Sequence, residues 1–187
     1  MNARPLVEDD LRLVRQVAAD GDPRELMRLC RYAAERNAYL AQLGDMRIAN
    51  AARPWHLAPS KSALGGEMAE WTAQRLRRLN LTDLVLDLAR APALGWACEE
   101  IVWTVHLGWT VPRGLEWVAP THFKFDRDTD RPLLAEPGGT TQELPPGKFI
   151  FHAAPGEGPL WQRGFINAVL GDLLAWPGFN ESQLREA

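Results

Sequence analysis

The first part of the chain has the hydrophobic period of helices. Between Arg24 and about Asn50, apolar side chains recur at steps of three, four and seven while charged residues take the opposite positions. This pattern predicts one long amphipathic helix with a single buried stripe. Asp22 and Pro23 precede it and predict an N-cap followed by proline in the first turn.

Further helical segments flank this one. A short helix or arm is expected over residues 6–20, and a second amphipathic pattern predicts a helix over 62–79. A short extended piece, "PWHLAPS" over 54–60, separates it from the long helix. Asn80 or Thr82 is expected to cap a following helix, which Pro92 interrupts.

The pattern changes near Cys98. From there to His106, apolar and polar residues alternate with the period of a strand, and about four further short strands follow up to residue 152. The pattern returns to a helix at Phe165. Segregated helices and strands predict an α+β fold, with N-terminal helices, a mostly antiparallel sheet over about 98–152 and a C-terminal helix.

Composition and net charge argue against several classes of protein. The chain has 187 residues, 46% of them hydrophobic, and a net charge of -3, so no overall basic excess points to nucleic acid. The two cysteines, Cys30 and Cys98, do not make a disulfide framework, and they fit a reducing compartment. No signal peptide or membrane span is expected. The eight tryptophans indicate assembly, because large aromatics are common in interfaces.

The segment "LPPGKFIFHAAPGEGPLWQRG" raises the question of a catalytic or phosphate-binding site. A strand delivers His152 to a loop rich in glycine and proline. Lys148 is followed by neither Ser nor Thr, so the segment does not match a phosphate-binding P-loop. The sequence favours His152 as a polar residue on an edge strand, and Pro145 and Pro146, which cannot donate ladder hydrogen bonds, suit a turn before such a strand.

Other catalytic constellations are not predicted. The four histidines lack the spacing of metal ligands; they are His56, His106, His122 and His152. Cys30 and Cys98 are interpreted as buried structural thiols, and Glu99 and Glu100 are expected on opposite faces of a strand. We therefore predict no catalytic, cofactor-binding or metal-binding residue, and no cofactor.

Two groups of residues are candidates for macromolecular contacts. The basic cluster of Arg75, Arg77 and Arg78 is a candidate for nucleic-acid contact, although a solvated helix face is the commoner outcome for such a cluster. Large aromatics near turns are expected to be exposed and are candidates for subunit contact; they are Trp109, Trp117 and Trp161.

Three motifs together resemble a known family. They are "GWACEEIVW", "HFKFD" and "LPPGKFIFH" followed by "RG". In this order they resemble the N-terminal, wing-like part of the Mu-like bacteriophage portal protein family, and the resemblance covers about Asp22 to Trp176. It implies a structural phage or prophage protein, not an enzyme. Portal proteins form a ring at one capsid vertex, through which DNA is packaged and ejected.

The resemblance also implies partners and a location. The partners would be other portal subunits, capsid and scaffold proteins, the terminase and double-stranded DNA, with no membrane. The location would be the virion or the bacterial cytoplasm.

The predicted organisation has three parts. They are an arm or short helix over 1–21, a portal-wing-like α+β domain over 22–176 and a polar tail over 177–187. The stem and clip of the family are expected to be absent, which implies a truncated or remnant portal protein. Alone, such a chain is expected to be a monomer or a weak small oligomer and not to form a stable ring. The alternatives are a small nucleic-acid-binding or adaptor module with a portal-like fold and, third, a hydrolase that uses His152 or His122.

Overall fold

The computed structural model describes residues 8–51, 57–62 and 64–175. Seven α-helices lie in these ranges: α1 Glu8–Ala19, α2 Arg24–Arg36, α3 Ala38–Ala51, α4 Gly65–Leu76, α5 Leu81–Leu88, α6 Ala91–Leu94 and α7 Phe165–Ala175. Six strands lie between α6 and α7: β1 Trp96–His106, β2 Trp109–Trp117, β3 Phe123–Phe125, β4 Pro132–Ala135, β5 Thr141–Glu143 and β6 Phe149–Ala153. Short 3-10 helices occupy Pro120–His122 and Leu160–Gln162.

The predicted α+β class is confirmed, with helices before and after antiparallel strands. The strands form two small sheets where one was expected. The first has the order β2-β1-β6 and the second the order β3-β4-β5, and every pair is antiparallel. The 3-10 helix Pro120–His122 lies between β2 and β3, so the chain leaves the first sheet there and does not continue the ladder.

The long helix predicted from Arg24 to Asn50 is wrong as a single element, because it is divided at Asn37. The Asn37 N–H still donates to the carbonyl of Ala33 and closes α2, but Asn37 itself is extended, with φ -98° and ψ 100°. Its side-chain oxygen accepts from the Leu40 N–H at 3.0 Å and caps α3. One asparagine therefore ends one helix and starts the next without disturbing the apolar period.

Of the two predicted N-caps, the one at Asn80 is confirmed and the one at Asp22 is wrong. Asn80 caps α5, since its side chain accepts from the Asp83 N–H. Pro23 is the residue before α2 and not its first residue, and the carboxylate of Asp22 is engaged mainly by Arg24 at 2.6 Å. The extended piece predicted over 54–60 is described only from residue 57 onwards, and residues 57–60 belong to no helix or strand.

The core lies between α2, α7 and the first strands of both sheets. Leu26 and Cys30 of α2 are fully buried against Leu170 of α7 and against residues of the strands. The ring of Trp96 in β1 meets the edge of Phe125 in β3 with centroids 4.9 Å apart. Helix α1 also contributes to this core through Leu11 and Ala18.

Candidate subunit interface

The hairpin of β1 and β2 starts in the core and ends in solvent. Trp96 and Cys98 at its base are fully buried. Its last pair is His106 with Trp109, joined by Leu107 and Gly108 at φ 51° and 81°. Two consecutive positive φ values indicate the tight two-residue turn that suits a twisted hairpin.

The end of this hairpin is apolar and exposed. Four side chains form what we call the tip patch: Trp103, Val105, Leu107 and Trp109, which are 45%, 73%, 83% and 67% exposed. The indole N–H of Trp103 donates to the Gly147 carbonyl at 2.9 Å, so this ring is held in place. Trp103 and Val105 lie on one face of the hairpin with Leu107 at its turn, whereas Trp109 pairs with His106 and lies on the other face. Neighbouring apolar groups in solvent mark interaction surfaces, whereas scattered ones need no explanation.

An irregularity in the ladder sets the direction of the tip. Val102 pairs with Gly114 and Trp103 pairs with Pro112, so Arg113 is an extra residue on β2. Such a bulge bends the strand and increases its twist. The side chain of Arg113 is exposed next to the tip patch.

Helix α4 carries a second exposed apolar surface. Leu64, Met68 and Trp71 lie three to four positions apart, on one face, and are 60%, 65% and 48% exposed. We call these three residues the α4 patch. Within the described part of the chain, no other helix or strand packs extensively against α4. An amphipathic helix in this condition lacks a partner for its apolar face.

The glycine-rich loop after His152 is a corner of the fold. His152 is exposed on β6, an edge strand of the first sheet. Gly156 and Gly158 have φ of 140° and 84°, and the Arg163 guanidinium binds the loop from inside by donating to the Gly158 carbonyl at 2.8 Å. These contacts hold backbone, and they bring no nucleophile or second base to His152.

A buried carboxyl group lies at the base of the hairpin. Glu99 is 2% exposed and its Oε1 has no hydrogen-bond partner among the described residues. Burial, followed by the nearby carboxylate of Asp87, raises the pKa of Glu99 to about 7. Glu100 points the other way and pairs with Lys148 at 2.9 Å.

The opposite faces of these two glutamates were predicted, but the burial of Glu99 was missed. The preceding apolar run from Trp96 to Cys98 was the signal that both faces of β1 are covered there. Among the residues that the structure describes, no three His, Cys, Asp or Glu side chains are grouped to hold a metal ion. None of the described helices is both long and apolar enough to cross a membrane.

Comparison with known families identifies the family of the chain. The sequence profile of the portal protein of Mu bacteriophage matches residues 27–174. The chain belongs to this portal protein family. The match runs from α2 to α7, so it includes both exposed patches. No curated protein matches the chain significantly.

The portal family is structural, which is consistent with the sequence prediction that the chain is not an enzyme. The thiols interpreted as structural are indeed buried. Burial raises the pKa of both Cys30 and Cys98 to about 12, with a further contribution from Glu99 at Cys98.

The tryptophans predicted for subunit contact have different surroundings. Trp109 belongs to the exposed tip patch. Trp117 is half-buried, with the Arg90 guanidinium 5.5 Å from its ring centroid. The exposure expected for Trp161 is wrong: it is only 7% exposed, because the 3-10 turn Leu160–Gln162 folds its ring into the core. Proximity to a turn does not distinguish an inward turn from an outward one.

The basic cluster lies at the C-terminal end of α4. The Arg75 guanidinium stacks 5.0 Å from the ring centroid of Trp71, and it is half-buried. Arg77 and Arg78 follow the helix and are exposed. The three arginines are therefore close in sequence, but Arg77 and Arg78 are more accessible to a phosphate group than Arg75 is.

Proposed function

We propose that this chain is a subunit of a portal ring at a capsid vertex, through which double-stranded DNA is packaged and ejected. The observation that carries the proposal is the family match, which extends over almost the whole described domain. A structural role also agrees with the exposed apolar surfaces on the hairpin and on α4, which a domain without partners rarely keeps.

The proposal includes the partners and location that such a ring requires. Capsid and scaffold proteins would surround it, and the terminase would dock on it. The protein would reside in the virion or in the bacterial cytoplasm during assembly. Trp109 and Trp117 would contribute to subunit contacts, and the cluster at Arg75, Arg77 and Arg78 would contact DNA.

Self-association of the purified chain tests the proposal. Light scattering after size exclusion, over a concentration series, should give a mass that rises above that of a monomer. Mild chemical crosslinking followed by electron microscopy should then show closed rings or arcs of rings. A mass that stays monomeric at the highest soluble concentration, with no crosslinked oligomers, would contradict the proposal.

A further inference from the structure

The two exposed apolar patches lie on different elements of one chain. The tip patch is at the free end of the β1–β2 hairpin, and the α4 patch is on a helix without an extensive partner in the described residues. When two different patches of one chain are complementary, copies associate head to tail, and this contact generates a ring if the rotation closes.

We propose that the tip patch of one subunit docks on the α4 patch of the next subunit. This inference rests on the proposed portal function and names the contact by which neighbouring subunits meet. Trp103 and Val105, on one face of the hairpin, and Leu107 in its turn would cover the apolar face formed by Met68 and Trp71.

Charge favours this pairing over contacts between identical patches. Exposed Arg113 lies beside the tip patch, whereas exposed Glu67 and Glu70 flank the α4 patch. The Arg75 guanidinium over Trp71 offsets only one of these two carboxylates. Tip against tip would bring two Arg113 guanidinium groups together, and α4 against α4 would bring together two patches that each have an excess of one carboxylate. The mixed contact joins patches of opposite net charge, which favours the correct partner.

The available area explains why such a contact would be weak in isolation. A large aromatic side chain buries about 150–250 Å² when fully covered. The partly exposed tip patch therefore supplies on the order of 400 Å², about half of the roughly 800 Å² per partner of a stable interface. Ring closure adds a second contact to each subunit, and the second contact forms at a high effective concentration.

Cysteine crosslinking between two variants tests the contact directly. Val105→Cys and Met68→Cys place one new thiol on each patch, while the native cysteines are buried and unreactive. A mixture of the two variants should form a disulfide-linked dimer under mild oxidation, and neither variant alone should do so. A chain with both substitutions should form a covalent ladder.

Matched controls make the result specific. Thr141→Cys, exposed on β5, is mixed with Met68→Cys and should give at least tenfold less dimer. Circular dichroism checks that every variant is folded. Val105→Asp should lower the mass measured by light scattering at a fixed concentration, because it places a carboxylate opposite Glu67 and Glu70.

The outcomes separate this inference from the proposed function. If the unmodified chain self-associates but the mixed variants give no more dimer than the control, the contact is wrong and the portal function stands. Dimers from Val105→Cys alone, at the rate of the mixture, would show tip against tip and overturn the contact. If the unmodified chain is strictly monomeric and no dimer forms, both proposals fail.

Discussion

The guanidinium of Arg15 in α1 donates a 2.7 Å hydrogen bond to the backbone carbonyl of Asn167 in α7. Its Nε also donates to the Asn167 side-chain oxygen at 3.3 Å. Asn167 is buried and donates in turn to the carbonyl of Trp161. One charged side chain therefore joins the first described helix to the last.

Removing this link should destabilise the protein. Arg15→Ala leaves the Asn167 oxygens without their charged donor, so we expect the free energy of unfolding to fall by about 1–3 kcal/mol. Urea unfolding followed by circular dichroism measures this. Arg12→Ala, an exposed arginine of the same helix, should change stability by less than about 0.5 kcal/mol. Equal effects of the two substitutions would contradict a specific role for Arg15.

The link shows where sequence reasoning stops. The apolar period located α2, α7 and the strands because their buried faces repeat locally along the chain. Nothing local in the sequence predicts which helix Arg15 meets, since its partner is 152 residues away. The break at Asn37 was missed for a related reason: the apolar stripe continues through it, and only the cap made by its side chain reveals a new helix.

The candidate site was predictable to a similar extent. Trp109 was selected correctly as an exposed aromatic because it adjoins a glycine turn. Trp161 adjoins a glycine-rich segment too but is buried, because it lies in the 3-10 turn Leu160–Gln162, which packs into the core. The amphipathic pattern over 62–79 predicted an apolar face on α4 but not its exposure, because such a pattern does not show whether the same chain covers that face.

Asp22 should make stability depend on acid pH. Arg24 at 2.6 Å, with Lys124 of β3 at 3.1 Å, lowers the pKa of Asp22 from 3.8 to about 2. Because the folded pKa is depressed, the contribution is present above the unfolded pKa of 3.8 and is lost as pH falls through about 2.

Asp22→Asn should therefore cost roughly 1–2 kcal/mol at pH 7, and the difference from the unmodified chain should shrink between pH 4 and pH 2. Urea unfolding of both chains over that pH range measures this difference in the free energy of unfolding. Asp20→Asn removes an exposed partner of Arg127 and should have a smaller cost. If the difference in free energy of unfolding between Asp22→Asn and the unmodified chain is constant with pH, the effect of the substitution is not electrostatic.

Glu99 should have the opposite pH dependence. Its folded pKa is raised from 4.5 to about 7, first by burial and then by Asp87. Below pH 4.5 the group is neutral in both states. As pH rises toward 7, Glu99 ionises first in the unfolded chain. The free energy of unfolding therefore falls until the pH exceeds the folded pKa of Glu99.

Glu99→Gln imitates the neutral acid and removes this loss. Relative to the unmodified chain, the variant should gain up to about 3 kcal/mol between pH 4.5 and pH 8. Thermal unfolding at pH 4.5, 6 and 8 measures the gain. Glu100→Gln, on the other face of β1, should show no such rise. If the stability of Glu99→Gln relative to the unmodified chain does not increase with pH, the Glu99 carboxylate is stabilised in the fold.

Gly95 should tolerate no side chain. It ends α6 with φ 104°, and a Cβ there would lie inside contact distance of the Leu160 carbonyl oxygen. Gly95→Ala should cost more than about 3 kcal/mol, because backbone strain and a backbone clash add. Gly108 has φ 81° and open space around it, so Gly108→Ala should show the strain alone, about 1 kcal/mol. Similar costs at both positions would exclude the clash.

The exposed arginines after α4 should carry any contact with DNA. Arg77 and Arg78 are free of the aromatic stacking that engages Arg75. Each phosphate contact contributes about -0.9 to the slope of log K against log salt. The double variant Arg77→Ala/Arg78→Ala should therefore bind duplex DNA more weakly and lower the magnitude of that slope by about 2.

Fluorescence anisotropy from low to moderate salt measures both quantities. The double variant Arg28→Ala/Arg31→Ala removes the same number of charges, from arginines that pair with Glu25 at 2.8 Å and Glu35 at 3.6 Å, and it should leave the slope unchanged. A double variant with the slope of the unmodified chain would place the DNA contact elsewhere, because loss of two phosphate contacts cannot leave counterion release unchanged.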